Sequence, residues 1–295
     1  MTISVPATSA NMGPGFDTLG VALGLYNEIT IRPSKFTSVS IKGEGKQILK
    51  LKGGNIFVRI FNEYYKNLTG KIDSFKFEFI NRIPLSRGLG SSSAVIVSAI
   101  AAAYEAAGVH VSHERILSLA LNYEPHPDNI SPAVNGGFNI AAVDRDQVVF
   151  VKHDMPEEVR AVVVIPDKAV STHQSRTTLP RKLTLEDAVF NLSRSSLLTA
   201  SIMTGKWENL RLASQDRIHQ EIRMSKTPEL FKVQAIALEN GALMSTLSGS
   251  GSTFFSMVYR DDAKRVAAAL QEAFPAFRVE DLPFDNVGLV VRTDS

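Results

Sequence analysis

Two segments of the chain carry residues whose types and spacing could do chemistry. Pro84-Leu85-Ser86-Arg87-Gly88-Leu89-Gly90-Ser91-Ser92-Ser93-Ala94 lies between an expected strand and an expected long helix. Gly88 and Gly90 lack Cβ, so the backbone there can take positive φ and approach a ligand closely. At the helix start, unpaired N–H groups and the positive end of the dipole face one space, which suits a phosphate. The three serines add hydroxyls. No Lys-Ser/Thr pair follows the second glycine, so this is not GxxxxGK[ST], and it is not GxGxxG either. Alone, the segment reads equally well as an ordinary Gly/Ser turn with good capping. The second segment, Val5-Pro6-Ala7-Thr8-Ser9-Ala10-Asn11-Met12-Gly13-Pro14-Gly15-Phe16-Asp17, crowds small residues, glycines, Asn11 and Asp17 behind the first strand. Asn11 offers a donor and an acceptor, and Asp17 a carboxylate suited to an ammonium group. Alone, it reads more readily as an Asx-rich turn.

Together the two segments resemble the first two motifs of the galactokinase, homoserine kinase, mevalonate kinase and phosphomevalonate kinase (GHMP) superfamily, most closely its homoserine kinases. The third motif stands at Leu247-Ser248-Gly249-Ser250-Gly251-Ser252-Thr253, so the resemblance runs in order from Val5 to Thr253. Ser252 occupies a place where proline is commoner; the N–H it adds is expected to be harmless. Glu124-Pro125-His126-Pro127-Asp128-Asn129 resembles the homoserine kinase segment Glu-Gly-His-Pro-Asp-Asn. Pro125 replaces the glycine, and because proline fixes φ at about −65° this turn is expected to differ. Ser171-Thr172-His173-Gln174-Ser175-Arg176 and Asp216-Arg217-Ile218-His219-Gln220-Glu221-Ile222-Arg223 also look like homoserine kinase.

The resemblance implies an ATP-dependent kinase that phosphorylates the side-chain hydroxyl of L-homoserine to O-phospho-L-homoserine, a step toward threonine. It implies ATP bound along Pro84 to Ala94, and Mg²⁺ held by the Ser92 hydroxyl and Glu124. Asn129 and Asp128 would be the catalytic residues facing the substrate hydroxyl, with Asp128's role as base left open. Asn11, Asp17, Asn129, Arg176 and Arg223 would bind substrate. In that set Asp17 takes the ammonium, and the forked guanidinium donors of Arg176 and Arg223 take the carboxylate. Arg217 is the weaker arginine, and His126, between two prolines, reads as shaping its loop. The fold implied is α+β with two domains: an N-terminal one like ribosomal protein S5 domain 2 and a C-terminal ferredoxin-like one. Their division is expected near residue 155, giving 1–155 and 156–295, with the site between. The alternatives are another GHMP kinase of mevalonate type, or a non-enzymatic ATP-sensing relative.

The elements that must position these segments are readable from period. Ile29-Thr30-Ile31, Val39-Ser40-Ile41 and Phe75-Lys76-Phe77-Glu78-Phe79 alternate as strands, with a helix from Asn55 to Leu68 between them. Helices are expected over Ser91 to Ala107 and Ser112 to Tyr123, with Ser112 as N-cap, then strands over Phe138 to Val143 and Val148 to Val151. Ala161 to Ile165 reads as a buried strand. Helices dominate from Leu185 to about Leu238, and the tail reads strand, strand, helix, strand, strand.

Composition narrows the setting. The 295 residues are 44% hydrophobic and 21% charged, an ordinary globular balance. Lys+Arg of 32 against Asp+Glu of 30 is too even for a nucleic-acid footprint, which argues against an RNA-binding role for the S5-like half. The absence of cysteine excludes disulfides, thiolate metal sites and a cysteine nucleophile. No signal peptide is apparent, and the apolar run from Ala94 to Ala107 is too short to span a bilayer. The expectation is a cytoplasmic enzyme with no membrane partner; its oligomeric state is not fixed, a homodimer being compatible.

Overall fold

The computed structural model describes residues 1–170 and 172–293, so Ser171 of the quoted arginine segment lies outside the described residues. The chain opens with β1 (Thr2–Ala10), β2 (Leu19–Pro33), β3 (Ser38–Gly43), α1 (Leu49–Gly53), α2 (Ile56–Thr69) and β4 (Phe75–Asn81). Then come α3 (Ser91–Ala106), α4 (His113–Ala120), α5 (Pro127–Asn135), β5 (Phe138–Asp144) and β6 (Gln147–His153). The second half holds β7 (Val159–Ile165), α6 (Thr172–Thr177), α7 (Leu185–Thr204), α8 (Leu210–Ala213), α9 (Gln220–Met224) and α10 (Glu229–Glu239). It closes with β8 (Met244–Leu247), β9 (Phe254–Tyr259), α11 (Ala263–Ala273), β10 (Arg278–Leu282) and β11 (Val290–Arg292).

Local chemistry accounts for the main elements of the first half. Asn55 caps α2 by accepting from the backbone N–H groups of Phe57 and Val58, and Gly70 at φ +72° ends it. One stripe of α2, including Phe57, Phe61 and Tyr65, meets the inward Phe75, Phe77 and Phe79 of β4, mostly edge to face. α3 is buried nearly all round, as its Ala-rich sequence allows, so its N-terminus is a rigid fixture. The first sheet runs β11-β1-β2-β4-β3, with β5 on β2 and β6 on β5.

The second sheet has the order β10-β7-β9-β8, all antiparallel. With helices between β7 and β8 and α11 between β9 and β10, this is the ferredoxin-like βαββαβ arrangement. It is apolar on both faces. Val162, Val164 and Phe254 join a core with α10 and α11, whereas Ala161, Val163 and Phe255 join the main core. The fold is therefore two-domain α+β, as expected, with its halves sharing a core. Among the described residues, no helix is long and apolar enough to cross a membrane.

Several features differ from the reading of the sequence, among them the short helices α1 and α6, where none was read. α5 is a helix where only a loop was read; Pro127 occupies its first turn, where a missing N–H is tolerated. The tail also crosses back: β11 pairs with β1, and Phe284 bridges to Leu23. We propose a division near residue 155, with the residues beyond Leu282 packed on the first unit.

Gly20 of β2 decides where α5 sits. A Cβ there would stand 1.8 Å from the carbonyl oxygen of Asp128, a backbone atom that cannot step aside. Gly20→Ala should destabilise the protein by about 1–3 kcal/mol, as overpacking does, seen as a lower midpoint of thermal unfolding. An unchanged midpoint would show that α5 is not fixed by this contact.

Candidate active site

Three loops are laced together by their backbones. A Cβ on Gly88, whose φ is +81°, would stand 2.2 Å from the Ser248 carbonyl oxygen, so only glycine allows the first and third Gly/Ser loops to touch this closely. Ser248 Oγ donates to Gly88 O at 2.6 Å, and Thr253 N donates to Arg87 O at 2.9 Å. The amino-terminal loop joins them: Gly249 N donates to Ala10 O at 3.1 Å, and Asn11 Nδ2 to Gly249 O at 3.0 Å. Thr8 N donates to Leu89 O at 3.2 Å.

These loops surround a cavity of about 660 Å³. Its lining includes the apolar side chains of Ile48, Leu51, Ile56, Leu85, Val95 and Val170. The start of α3 presents Gly90, Ser91, Ser92 and Ser93; Ser92 is exposed there, while Ser91 and Ser93 are buried. Asn11, Asp17, Glu124, His126, Asp128, Asn129, Arg176 and Arg223 line the cavity as well, Asp17 in contact with Arg176 and His126. Of the segment from Pro84 to Ala94, Leu85 to Gly88 and Gly90 to Ser93 line this cavity, whereas Pro84, Leu89 and Ala94 are buried behind it. Arg87 turns its guanidinium away, to the Pro166 carbonyl at 3.0 Å and Asp167 at 2.8 Å, and so ties the loop to the end of β7.

The charged groups are unevenly matched. Asp17, at φ +58° with its N–H bonded to Asn11 Oδ1, takes two hydrogen bonds from Arg176, at 2.9 and 2.6 Å. His126 Nδ1 is 3.7 Å from the same carboxylate, so its ring belongs to the site as well as to its loop. Asp128, 4% exposed, is pushed up to about 7 by burial and then by the Asp17 and Glu124 carboxylates. Burial also raises Glu124, with Asp17 adding and Arg176 opposing. Burial and the neighbouring Arg176 lower Arg223 to about 10. Three carboxylates thus share the cavity with two guanidiniums, of which only Arg176 is bonded to one of them.

The arginines are incompletely satisfied. Arg223 Nη1 donates to Gly249 O at 3.1 Å, yet the Nε atoms of Arg176 and Arg223 are buried and have no hydrogen-bond partner among the described residues. Both guanidiniums lie over Phe16, 5.1 and 5.3 Å from its ring centroid, a cation–π arrangement that fixes them side by side. Asn129 accepts at Oδ1 from Thr8 Oγ1 at 2.7 Å, which leaves its amide N–H groups toward Asp128. Arg217 is elsewhere, bonded to Glu186 at the surface. Thr8, Phe16 and His219 lay in segments already singled out but carried no signal of their own. The apolar lining at Ile48 and Leu51 had none at all.

Residues 55–137 match the GHMP kinases N terminal domain, and residues 198–276 match the GHMP kinases C terminal domain. The homoserine kinase of Nitratiruptor sp. is 59% identical over 291 residues, covering 99% of both chains. That of Aliarcobacter butzleri is 57% identical over 291 residues, again covering 99% of both. The chain belongs to the homoserine kinases of the GHMP family. Among solved structures, the crystal structure of homoserine kinase from Cytophaga hutchinsonii superposes with a TM-score of 0.87 at 27% identity, covering 99% of this chain and 97% of that one.

Mg²⁺ can be tested against the donor set. Ser92 and Glu124 line one cavity, in which the carboxylates exceed the guanidinium paired with them and Glu124 is held above its ordinary range. That environment is short of positive charge, and Mg²⁺ commonly takes one or two protein carboxylates with phosphates and water completing its shell. Among the described residues no group of three or more His, Asp or Glu side chains could hold a metal ion, so these residues fit the ion only where phosphate and water supply the rest of its shell.

Asp128 links this electrostatics to stability. Its folded pKa is raised from 3.8 to about 7, so the ionised form is the disfavoured one. The penalty is absent below about pH 4, grows as the pH rises and is complete above about pH 7. Asp128→Asn should therefore be the more stable protein at pH 8, by roughly 2–4 kcal/mol, and equal to the parent at pH 4. Urea denaturation at the two pH values measures this; no gain at pH 8 would contradict it.

Proposed function

We propose that this chain transfers the γ-phosphoryl group of ATP to the side-chain hydroxyl of L-homoserine, giving O-phospho-L-homoserine and ADP, in the cytoplasm. One observation carries the substrate assignment: two guanidiniums, Arg176 and Arg223, both held against the Phe16 ring, share a cavity with Asp17. An α-amino acid brings the matching charges, with its ammonium for Asp17 and its carboxylate for Arg176 and Arg223. On binding, Arg176 exchanges part of its grip on Asp17 for the substrate carboxylate. Each charge-assisted contact contributes roughly 1.5–3 kcal/mol. A sugar has neither charge, and mevalonate has only the carboxylate.

The triphosphate is assigned to the start of α3 and the Gly88–Gly90 loop, with adenine against the apolar side chains of Ile48, Leu51 and Ile56. Ser92 and Glu124 would hold Mg²⁺, which when bound offsets charge on the phosphates. Phosphoryl transfer passes through a loose transition state in most analyses, so positioning and electrostatics carry most of the acceleration. Asn129, oriented by Thr8, directs the acceptor hydroxyl. Asp128 accepts its proton, with a proton affinity set near neutral pH.

ADP release with Mg-ATP measures the proposal, using L-homoserine, mevalonate, galactose and L-serine as acceptors. Release should depend on L-homoserine, be lost in Glu124→Ala, and rise with pH through about 7, a limb that Asp128→Asn should lack. Near-normal turnover in Asp128→Asn would end its role as base. Activity on another acceptor alone would reject the clamp, and no release with any acceptor would point to a non-enzymatic relative.

A further inference from the structure

The segment from Asp216 to Arg223 does more than present an arginine. The buried Asp216 carboxylate accepts from Asn191 Nδ2 at 2.7 Å and from the backbone N–H groups of Ile218, His219 and Gln220 at 3.1, 2.8 and 2.7 Å. It thereby fixes the start of α9. Gln220 Oε1 accepts from Leu247 N at 2.8 Å, beside the third loop.

Between these anchors stands His219, 1% exposed, with its ring 5.2 Å from that of Phe16. Its Nε2 is 2.8 Å from Gly13 O, and its Nδ1 is 3.1 Å from Arg223 Nη1. A carbonyl oxygen only accepts and a guanidinium only donates, so Nε2 must carry the proton and Nδ1 must be bare. A doubly protonated ring would turn a donor against Arg223. Burial, and then the Arg223 charge, keep the ring neutral against the pull of Asp216, 3.9 Å away, and of Asp17.

We propose that His219 is a positioning residue, which relays the place of the amino-terminal loop from Gly13 to Arg223 and holds that guanidinium at the cavity wall for the substrate carboxylate. The same loop carries Asp17. One imidazole therefore sets the distance between the ammonium site and the carboxylate site, and with it the preference for an α-amino acid over an amino alcohol. This rests on the reading of Arg223 as a carboxylate contact.

The two ring nitrogens can be replaced separately. His219→Gln places an amide near Nε2 and keeps a donor for Gly13 but loses the Nδ1 acceptor. His219→Asn places an amide oxygen near Nδ1 and keeps the acceptor for Arg223. Steady-state kinetics of both, of Arg223→Gln and of the His219→Gln/Arg223→Gln double variant would be measured with L-homoserine and with 3-amino-1-propanol, which lacks the carboxylate. His219→Gln should raise the KM for L-homoserine by roughly tenfold, with kcat and the KM for ATP little changed, and should reduce the preference over 3-amino-1-propanol. His219→Asn, which keeps the Arg223 contact but drops the Gly13 one, should recover only part of the loss, and His219→Gln should add nothing once Arg223 is replaced. A His219→Gln enzyme with the parent KM, or single effects that multiply in the double variant, would overturn the relay while leaving Arg223 its role. An Arg223→Gln enzyme with the parent KM would overturn both. If His219→Gln does not fold, the asparagine variant decides: a KM raised, though less than in Arg223→Gln, supports the relay, and the parent KM overturns it.

Discussion

The site depends on holding three carboxylates together in a largely buried cavity with too little positive charge beside them. Asp17 raises the cost of ionising Glu124, Asp17 and Glu124 together raise that of Asp128, and Arg176 is the guanidinium that offsets it directly. Such a cluster persists only because the surrounding fold is rigid. It is also a standing preference for cations, which the proposed function would meet with the ammonium of an amino acid and a divalent ion on a triphosphate.

Rigidity comes from close backbone contact rather than from side-chain bulk. Gly88 lies against Ser248, Gly20 lies against Asp128, and Asn11 ties the first loop to the third through the Gly249 carbonyl. Behind them the all-round burial of α3 and the doubly apolar second sheet leave these loops little room to drift. On the proposed assignment, the acceptor hydroxyl, the phosphates and the two ends of the zwitterion would be positioned by separated stretches of chain acting as one body.

Much of this was legible in the sequence. Alternating strands such as Phe75 to Phe79, the Asn55 cap and the long Ala-rich helix follow from period and capping, and each is present. The polar residues expected at the site, Asn11, Asp17, Glu124, Asp128, Asn129, Arg176 and Arg223, line one cavity. What was not legible depends on tertiary contact. Pro127 and Pro132 disguised α5, since proline reads as a breaker unless its helix position is known. The pairing of Asp17 with Arg176 joins residues 159 apart in sequence, and no local pattern announces it. His219 is informative only once its two partners are seen.

The most direct test of the electrostatic account is the proton count on substrate binding. Isothermal titration calorimetry of L-homoserine at pH 7, in buffers of different ionisation enthalpy, gives the protons exchanged per molecule bound. An arriving ammonium favours ionised neighbours, so binding should release protons, and Asp128→Asn should abolish most of that release. Binding with no proton exchange, or with uptake, would contradict a carboxylate cluster poised for a cation.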